Sequence, residues 1–412
     1  MTIAQLASDQ RPSSLPVPRS ATVANPLFDA IVGAGAANNK GACMIAAQIE
    51  EDLICKGWPT GALYGSEAQL AARFQVCRVV LREGVRILES RGTARMRRGP
   101  NGGLIVLAPT VTVLLEAIHR YVTSLRRTAL QGHLCNALLR LVRARMRPQE
   151  APRSNSVLAG LIDELLSATG RFAECGPHGY VKRGAAAEMA RSRAEQVFRL
   201  LMRDLGEEIA QDRRLGSELD LCDRYGADRS ALRQAVRVLE FEGIAVSTAG
   251  RGKGLMRRTP DPAAVCRLIN CYFASEKVSP SDAMNLYQLL SSEAVSIAAR
   301  NATGTERVRL EAAQRDLMRS SPRVASGLMQ EAEDSQFDIL DEPLIDILLR
   351  CTKSYSTWSS SLRDPESEKV GEIYRAETLN VIAAILRQDP EGAASAQSLK
   401  VERLNMLIQP GN

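Results

Sequence analysis

Residues 66–92, SEAQLAARFQVCRVVLREGVRILESRG, and residues 217–243, SELDLCDRYGADRSALRQAVRVLEFEG, agree at twelve of 27 positions when the chain is shifted by 151. The shared residues in the first stretch are Ser66, Glu67, Leu70, Arg73, Arg78, Leu81, Arg82, Val85, Arg86, Leu88, Glu89 and Gly92. Without a gap the same offset pairs Gly99 with Gly250, Gly103 with Gly254, Leu104 with Leu255, Pro109 with Pro260 and Tyr121 with Tyr272. A fixed register held over such a length reads as a duplicated domain.

Each copy reads as three helices followed by a glycine-punctuated hairpin. Ile45, Ile49 and Leu53 give the first helix its apolar spacing, and Gly57-Trp58-Pro59-Thr60-Gly61 ends it. Ser66 and Ser217 are N-cap residues for the second helix, and a turn follows at Gln75-Val76 or Gly226-Ala227. The third helix carries two rows: Leu81, Val85 and Leu88 in one copy, Leu232, Val236 and Leu239 in the other, and beside them Arg78, Arg82, Arg86 or Arg229, Arg233, Arg237. One residue's offset turns the arginine row about 100° from the apolar row, so the helix packs on one side and presents cations on the next. Beyond it lie Arg97-Arg98-Gly99-Pro100-Asn101-Gly102-Gly103 and Gly250-Arg251-Gly252-Lys253-Gly254, each leading into a strand. A basic hairpin after a helix-turn-helix is a winged arrangement, in which the helix fits the major groove and guanidinium groups meet phosphate oxygens. A solvated helix face is the plain alternative, and its recurrence in two copies with the same wing argues against it. A phosphate-cradling nucleotide loop needs a strand before its glycines, a helix after them and a Lys-Ser/Thr ending, whereas here a strand follows in both copies and no Lys-Ser/Thr pair appears.

Charge and composition agree with that reading. Residues 66–106 hold eight Arg against three Glu and residues 213–258 ten basic against six acidic side chains, whereas residues 261–412 carry 16 basic and 22 acidic ones. Two basic units and an acidic tail point to a polyanionic partner for the units. The 412 residues suffice for two to three domains, and 4% aromatics with 45% apolar residues favour helix over sheet. No apolar run reaches a membrane span, MTIAQLASDQRPSS lacks a signal-peptide core, and the expected location is the cytoplasm. The nine cysteines form no C-x-x-C pair, so reduced, packed thiols are expected. Only His119, His133 and His178 exist, which excludes a histidine-based centre from the C-terminal part.

These residues resemble the GntR family of bacterial transcription regulators, in its branch with an FCD-type helical C-terminal domain. The resemblance rests on Ser66-Glu67, Val76-Cys77-Arg78, Leu81-Arg82-Glu83-Gly84-Val85, Leu88-Glu89-Ser90-Arg91-Gly92 and the Arg97-Arg98-Gly99 wing, and again on Ser217-Glu218, Ala227-Asp228-Arg229, Leu232-Arg233-Gln234-Ala235-Val236 and Leu239-Glu240-Phe241-Glu242-Gly243. It implies DNA contacts from Ser66, Arg78, Arg82, Arg86, Arg97, Arg98 and Gly102, and from Ser217, Arg229, Ser230, Arg233, Arg237, Arg251 and Lys253. The tandem departs from the family, whose members carry one such module and dimerise. Cys77 and Asp228 stand where the family has a phosphate-bonding Ser, and an aspartate there is expected to weaken the second reader. Glu293–Arg300 resembles the family's second helix, and Asp334-Ser335-Gln336-Phe337-Asp338 resembles the Asp-x-x-Phe-His of its metal site. Asp338, Thr378 and Lys400 replace the three histidines, so no metal is expected there.

The expected fold is mainly α, with two winged helix-turn-helix modules, each of three helices and a small β-hairpin wing, alternating with all-helical domains. The divisions are a disordered lead at 1–40, the first module at 41–108, a short helical domain and linker at 109–190 with a flexible join near Gly176-Pro177-His178-Gly179, the second module at 191–258, and an FCD-like domain at 259–412. The expected function is a non-enzymatic, sequence-specific, double-stranded-DNA-binding transcription regulator with no catalytic residue and no cofactor. The resemblance leaves room for a small organic effector and a homodimer. The alternative is a helical interaction scaffold with degenerate winged modules. An enzyme using Asp334 and Asp338 is the weakest reading, because no histidine or motif joins them.

Overall fold

The computed structural model describes residues 41–99, 102–125, 132–146, 153–174, 192–207, 214–248, 250, 253–358 and 367–408. The expected lead, Arg251 and the join at Gly176–Gly179 lie outside the described residues. The chain is mainly helical. Its first sheet-and-helix unit runs α1 (Gly41–Cys55), β1 (Leu63–Gly65), α2 (Glu67–Arg73), α3 (Arg78–Ser90), β2 (Ala94–Arg97) and β3 (Gly103–Val106). After α4 (Val111–Ser124), α5 (Gly132–Arg145) and α6 (Arg153–Glu174), the second unit repeats the order as α7 (Arg193–Glu207), β4 (Arg214–Gly216), α8 (Glu218–Tyr225), α9 (Arg229–Phe241), β5 (Ala245–Ser247) and β6 (Leu255–Arg257).

Local chemistry accounts for the matched elements. Ser66 and Ser217 each close a capping box, with Gln69 and Asp220 returning the bond to the cap backbone. The turn before the third helix needs a left-handed residue, which is Gly226 at φ 55° in one unit and Gln75 at φ 53° in the other. Leu81, Val85 and Leu88 are buried in α3 as their spacing predicts; in α9 Leu232 and Leu239 are buried, but Val236 is only half-buried and Ala235 and Val238 turn inward instead. Each sheet has three antiparallel strands in the order β1-β3-β2 or β4-β6-β5, one strand more than the hairpin read from sequence. A side chain at Gly103 would collide with the Gly65 carbonyl, and one at Gly254 with that of Gly216, so the third strand is sealed by glycine in both units.

The remaining helices are α10 (Ala263–Ser275), α11 (Pro280–Asn301), α12 (Gly304–Arg319), α13 (Ser326–Phe337), α14 (Pro343–Trp358), α15 (Glu368–Leu386) and α16 (Pro390–Ile408), with a short 3-10 turn at Asp338–Leu340. Helices α4–α6 and α10–α16 share one continuous apolar core with the first unit, while the second unit surrounds a smaller core of its own. No described helix is long and apolar enough to cross a membrane. Six of the eight described cysteines are buried, and burial raises the thiol pKa of Cys135, Cys266, Cys271 and Cys351. Such thiols pack as apolar groups rather than react.

Candidate functional site

Helices α3 and α9 lie against one another, and their polar faces enclose a cleft of about 430 Å³. Its walls are Val79, Arg82, Glu83, Arg86 and Ile87 from α3 and Arg229, Ser230, Arg233, Gln234 and Arg237 from α9. The offset of 151 matches 79 with 230, 82 with 233, 83 with 234 and 86 with 237, so equivalent faces look into one space.

The expected contact residues divide by environment. Arg78, Arg82, Arg86, Arg229, Ser230 and Arg233 are exposed, as are Arg97, Arg98 and Lys253 beside the hairpins. Of these, Arg78, Arg97, Arg98 and Lys253 do not line the cleft. Ser66 and Ser217 are half-buried and accept the N–H groups of Gln69 and Asp220. Gly102 donates its N–H to the Gly99 carbonyl at 2.9 Å, and a side chain there would strike the Arg97 carbonyl, so its visible role is to shape the hairpin tip.

The arginine rows are partly engaged by carboxylates. Arg82 meets Glu67 at 3.0 Å and Arg233 meets Glu218 at 3.0 Å, the same pair at the same offset. With the arginine side chains about 60% exposed, these pairs are weak and easily exchanged for another anion. Arg237 is different: it bonds to Glu83 of the other helix at 3.0 Å and to Glu240 at 2.7 Å. Burial opposes its charge, but the bonds and attraction of Glu240 and Glu83 outweigh that and hold its pKa above the ordinary range. Sequence reading placed Arg237 in the contact row; the packing of α3 on α9 makes it a strut between the helices.

The helix starts differ as well. Asp228 caps α9, accepting from Ser230 and Ala231 N–H at 2.8 and 2.9 Å, whereas Cys77 makes no side-chain cap at α3. The Asp228 carboxylate is thus turned onto its own helix, which is the structural use of aspartate at this position. The shared Glu89 and Glu240 also gain a purpose: each accepts the N–H of the following strand, Met96 at 3.0 Å and Ser247 at 2.9 Å.

In the C-terminal helices the resemblance pointed to Asp334, Asp338, Thr378 and Lys400. Asp334 pairs with Arg350 and Asp338 with Arg309, each at 2.7 Å. Thr378 is buried, and Lys400 is 1% exposed with its ammonium 3.2 Å from Glu333 and over the Tyr374 ring. Burial pushes the Glu333 pKa up, but Lys353 and Lys400 overcome this and bring it down to about 2. Glu333, absent from the sequence reading, is therefore the anion at the centre of this cluster; its only sequence signal was its place beside Asp334. Among the described residues no group of three or more His, Cys, Asp and Glu side chains could hold a metal ion.

No family model matches the chain, and no curated protein matches it. Among solved structures, a GntR of Streptococcus agalactiae aligns with 52% of this chain and 99% of its own, at a TM-score of 0.39 and 18% identity. A likeness of that degree carries no inference about activity.

Proposed function

We propose that the chain is a non-enzymatic, GntR-like transcription regulator that binds double-stranded DNA through two winged helix-turn-helix modules, α3 and α9 being their recognition helices. The observation that carries this reading is the convergence of Arg82, Arg86, Arg229 and Arg233, all exposed, on one cleft between the two helices. Four fixed cations on a concave surface favour a polyanion, and the planar guanidinium suits phosphate or guanine edges. Arg97, Arg98, Arg251 and Lys253 would meet the backbone from the hairpins. Exchanging Glu67 and Glu218 for phosphates costs little, because exposed pairs contribute only ~0–1 kcal/mol. A cytoplasmic location, an organic effector in the C-terminal helices and homodimerisation belong to the same proposal, with the module and domain boundaries given above.

A salt titration tests it. Binding of genomic duplex fragments is expected to fall steeply and log-linearly with salt as counterions are released. Arg82→Ala is expected to reduce the salt slope by about one unit if its partner is phosphate, or to weaken discrimination at one base by ~1–3 kcal/mol if its partner is a base. Parent-like binding by Arg82→Ala and Arg233→Ala, or affinity insensitive to salt, would return the scaffold reading in which the modules bind protein.

A further inference from the structure

Resting on the assignment to duplex DNA and going beyond it, we propose that the chain reads a target whose two halves differ in sequence. The matched positions in the cleft are of two kinds. Positions 82 and 233, like 86 and 237, are arginine in both helices, but 79 and 230 are Val79 and Ser230, and 83 and 234 are Glu83 and Gln234.

The differences fall on side chains that face the cleft and carry base-reading chemistry. Val79 is 64% exposed on α3, although it is apolar and a buried row lies beside it. Its methyl groups suit the C5-methyl of thymine, whereas the exposed Ser230 hydroxyl suits a polar base edge. Gln234 carries an amide able to bond adenine at two atoms, and a carboxylate such as Glu83 accepts only from a donor such as the cytosine amino group. Glu83 is moreover committed to Arg237 across the cleft, which leaves Gln234 without an equivalent reader on α3. Arg82 and Arg233 thus recognise the same backbone or guanine features in both halves, while Arg237 is held in its bridge to Glu83, and the unlike pairs impose different bases. The Glu83–Arg237 bridge presents these faces as one unit. A dimer of the chain would repeat the unlike pair rather than restore symmetry within it.

The test is selection of full-length protein on a random duplex library, with the bound sequences read out. The wild-type chain is expected to enrich a site without two-fold symmetry. Gln234→Ala is expected to relax one adenine position by about tenfold in discrimination. The double variant Val79→Ser, Glu83→Gln gives α3 the reading face of α9 and is expected to enrich a more symmetric site. Ser230→Val, which leaves the bridge intact, is expected to add a thymine preference in the other half. Thermal melting accompanies each variant, so that loss of a preference is read only from folded protein. A palindrome enriched by the wild-type chain, or one motif unchanged across all three variants, overturns the inference and leaves DNA binding standing. Enrichment of no duplex at any salt overturns the DNA assignment and this inference with it.

Discussion

Leu81 and Leu88 of the first unit belong to the same continuous core as Leu115, Leu268 and Leu290 of the helical body, whereas Leu232 and Leu239, their counterparts in the second unit, pack with Val197, Leu201 and Leu205 in a core of their own. Phe241 is the exception, reaching from the end of α9 into the larger core, with the Arg91 guanidinium 4.7 Å from its ring centre. Two segments with the same leucine row therefore have different neighbours. What separates them is the residues at which the two units differ. Position 91 is Arg, buried, donating from Nε and Nη2 to the two Glu50 carboxylate oxygens (2.8 and 3.1 Å) and from Nη2 to the Ala264 carbonyl of α10. Its counterpart, Glu242, bonds outward to Arg120 of α4, at 2.6 and 3.0 Å. The shared residues build each unit, and the unshared ones attach it.

The sharpest way to break that contrast is to cut each attachment. Glu50→Ala leaves the Arg91 charge buried without its carboxylate and is expected to cost ~3–5 kcal/mol in chemical denaturation. Because the core is continuous, hydrogen exchange should rise in α1, α3 and α10 together. Arg120→Ala removes a pair whose guanidinium is 22% exposed, and the expected cost is smaller, ~1–3 kcal/mol, between the surface and buried limits. Its exchange should rise mainly within residues 193–257. Equal costs, or equal spread, would abolish the distinction between a fused and an attached unit.

Acid should lower stability through His119, the buried residue before Arg120 in α4. Burial, with a smaller contribution from neighbouring Arg120, pushes the His119 pKa down to about 4. The unfolded chain takes up this proton near pH 6.5 and the folded chain does not, so the contribution is intact above pH 6.5 and is lost as pH falls from there towards 4. The loss should be on the order of 2–3 kcal/mol. His119→Leu should flatten that part of the stability profile; an identical profile in parent and variant would show that the imidazole titrates freely.

The smallest expected effects lie at the starts of α3 and α9. Asp228→Ala should lower stability by about 1 kcal/mol through loss of its cap, and Cys77→Ala should change it by only a few tenths. Gln75→Gly should stabilise the first unit by up to ~1 kcal/mol, because a left-handed backbone is strained for glutamine and not for glycine. In DNA binding, Arg78→Ala is expected to cost more than Arg229→Ala, since Asp228 places a carboxylate beside Arg229. Equal losses would make the two helices equivalent readers.

Much of the local architecture was legible in the chain. The caps at Ser66 and Ser217, the buried row of α3 and the exposed arginines follow from spacing and residue type, which act over a few residues. The strands β1 and β4 were not legible, because three residues give no period and their pairing depends on Gly103 and Gly254 some forty residues away. Gly65 and Gly216 also agree at the offset of 151, and they gain meaning only when the β3 and β6 backbones press on them. Arg237 reads as a row member in sequence and becomes a strut in space, since nothing local announces that Glu83 will face it.

By itself the sequence determined the order of helices and hairpin in both units, the cationic faces of α3 and α9 and the helical character of the rest, because helical period, capping and turn chemistry are properties of neighbours along the chain. The tertiary structure alone decided that these faces share one cleft, that Glu83 holds Arg237, that the first unit shares its core with the helical body, and that Lys400 is buried on Glu333. Each of those facts is a contact between residues far apart in the chain. Such contacts depend on how whole surfaces dock, and no periodicity along the backbone encodes the docking.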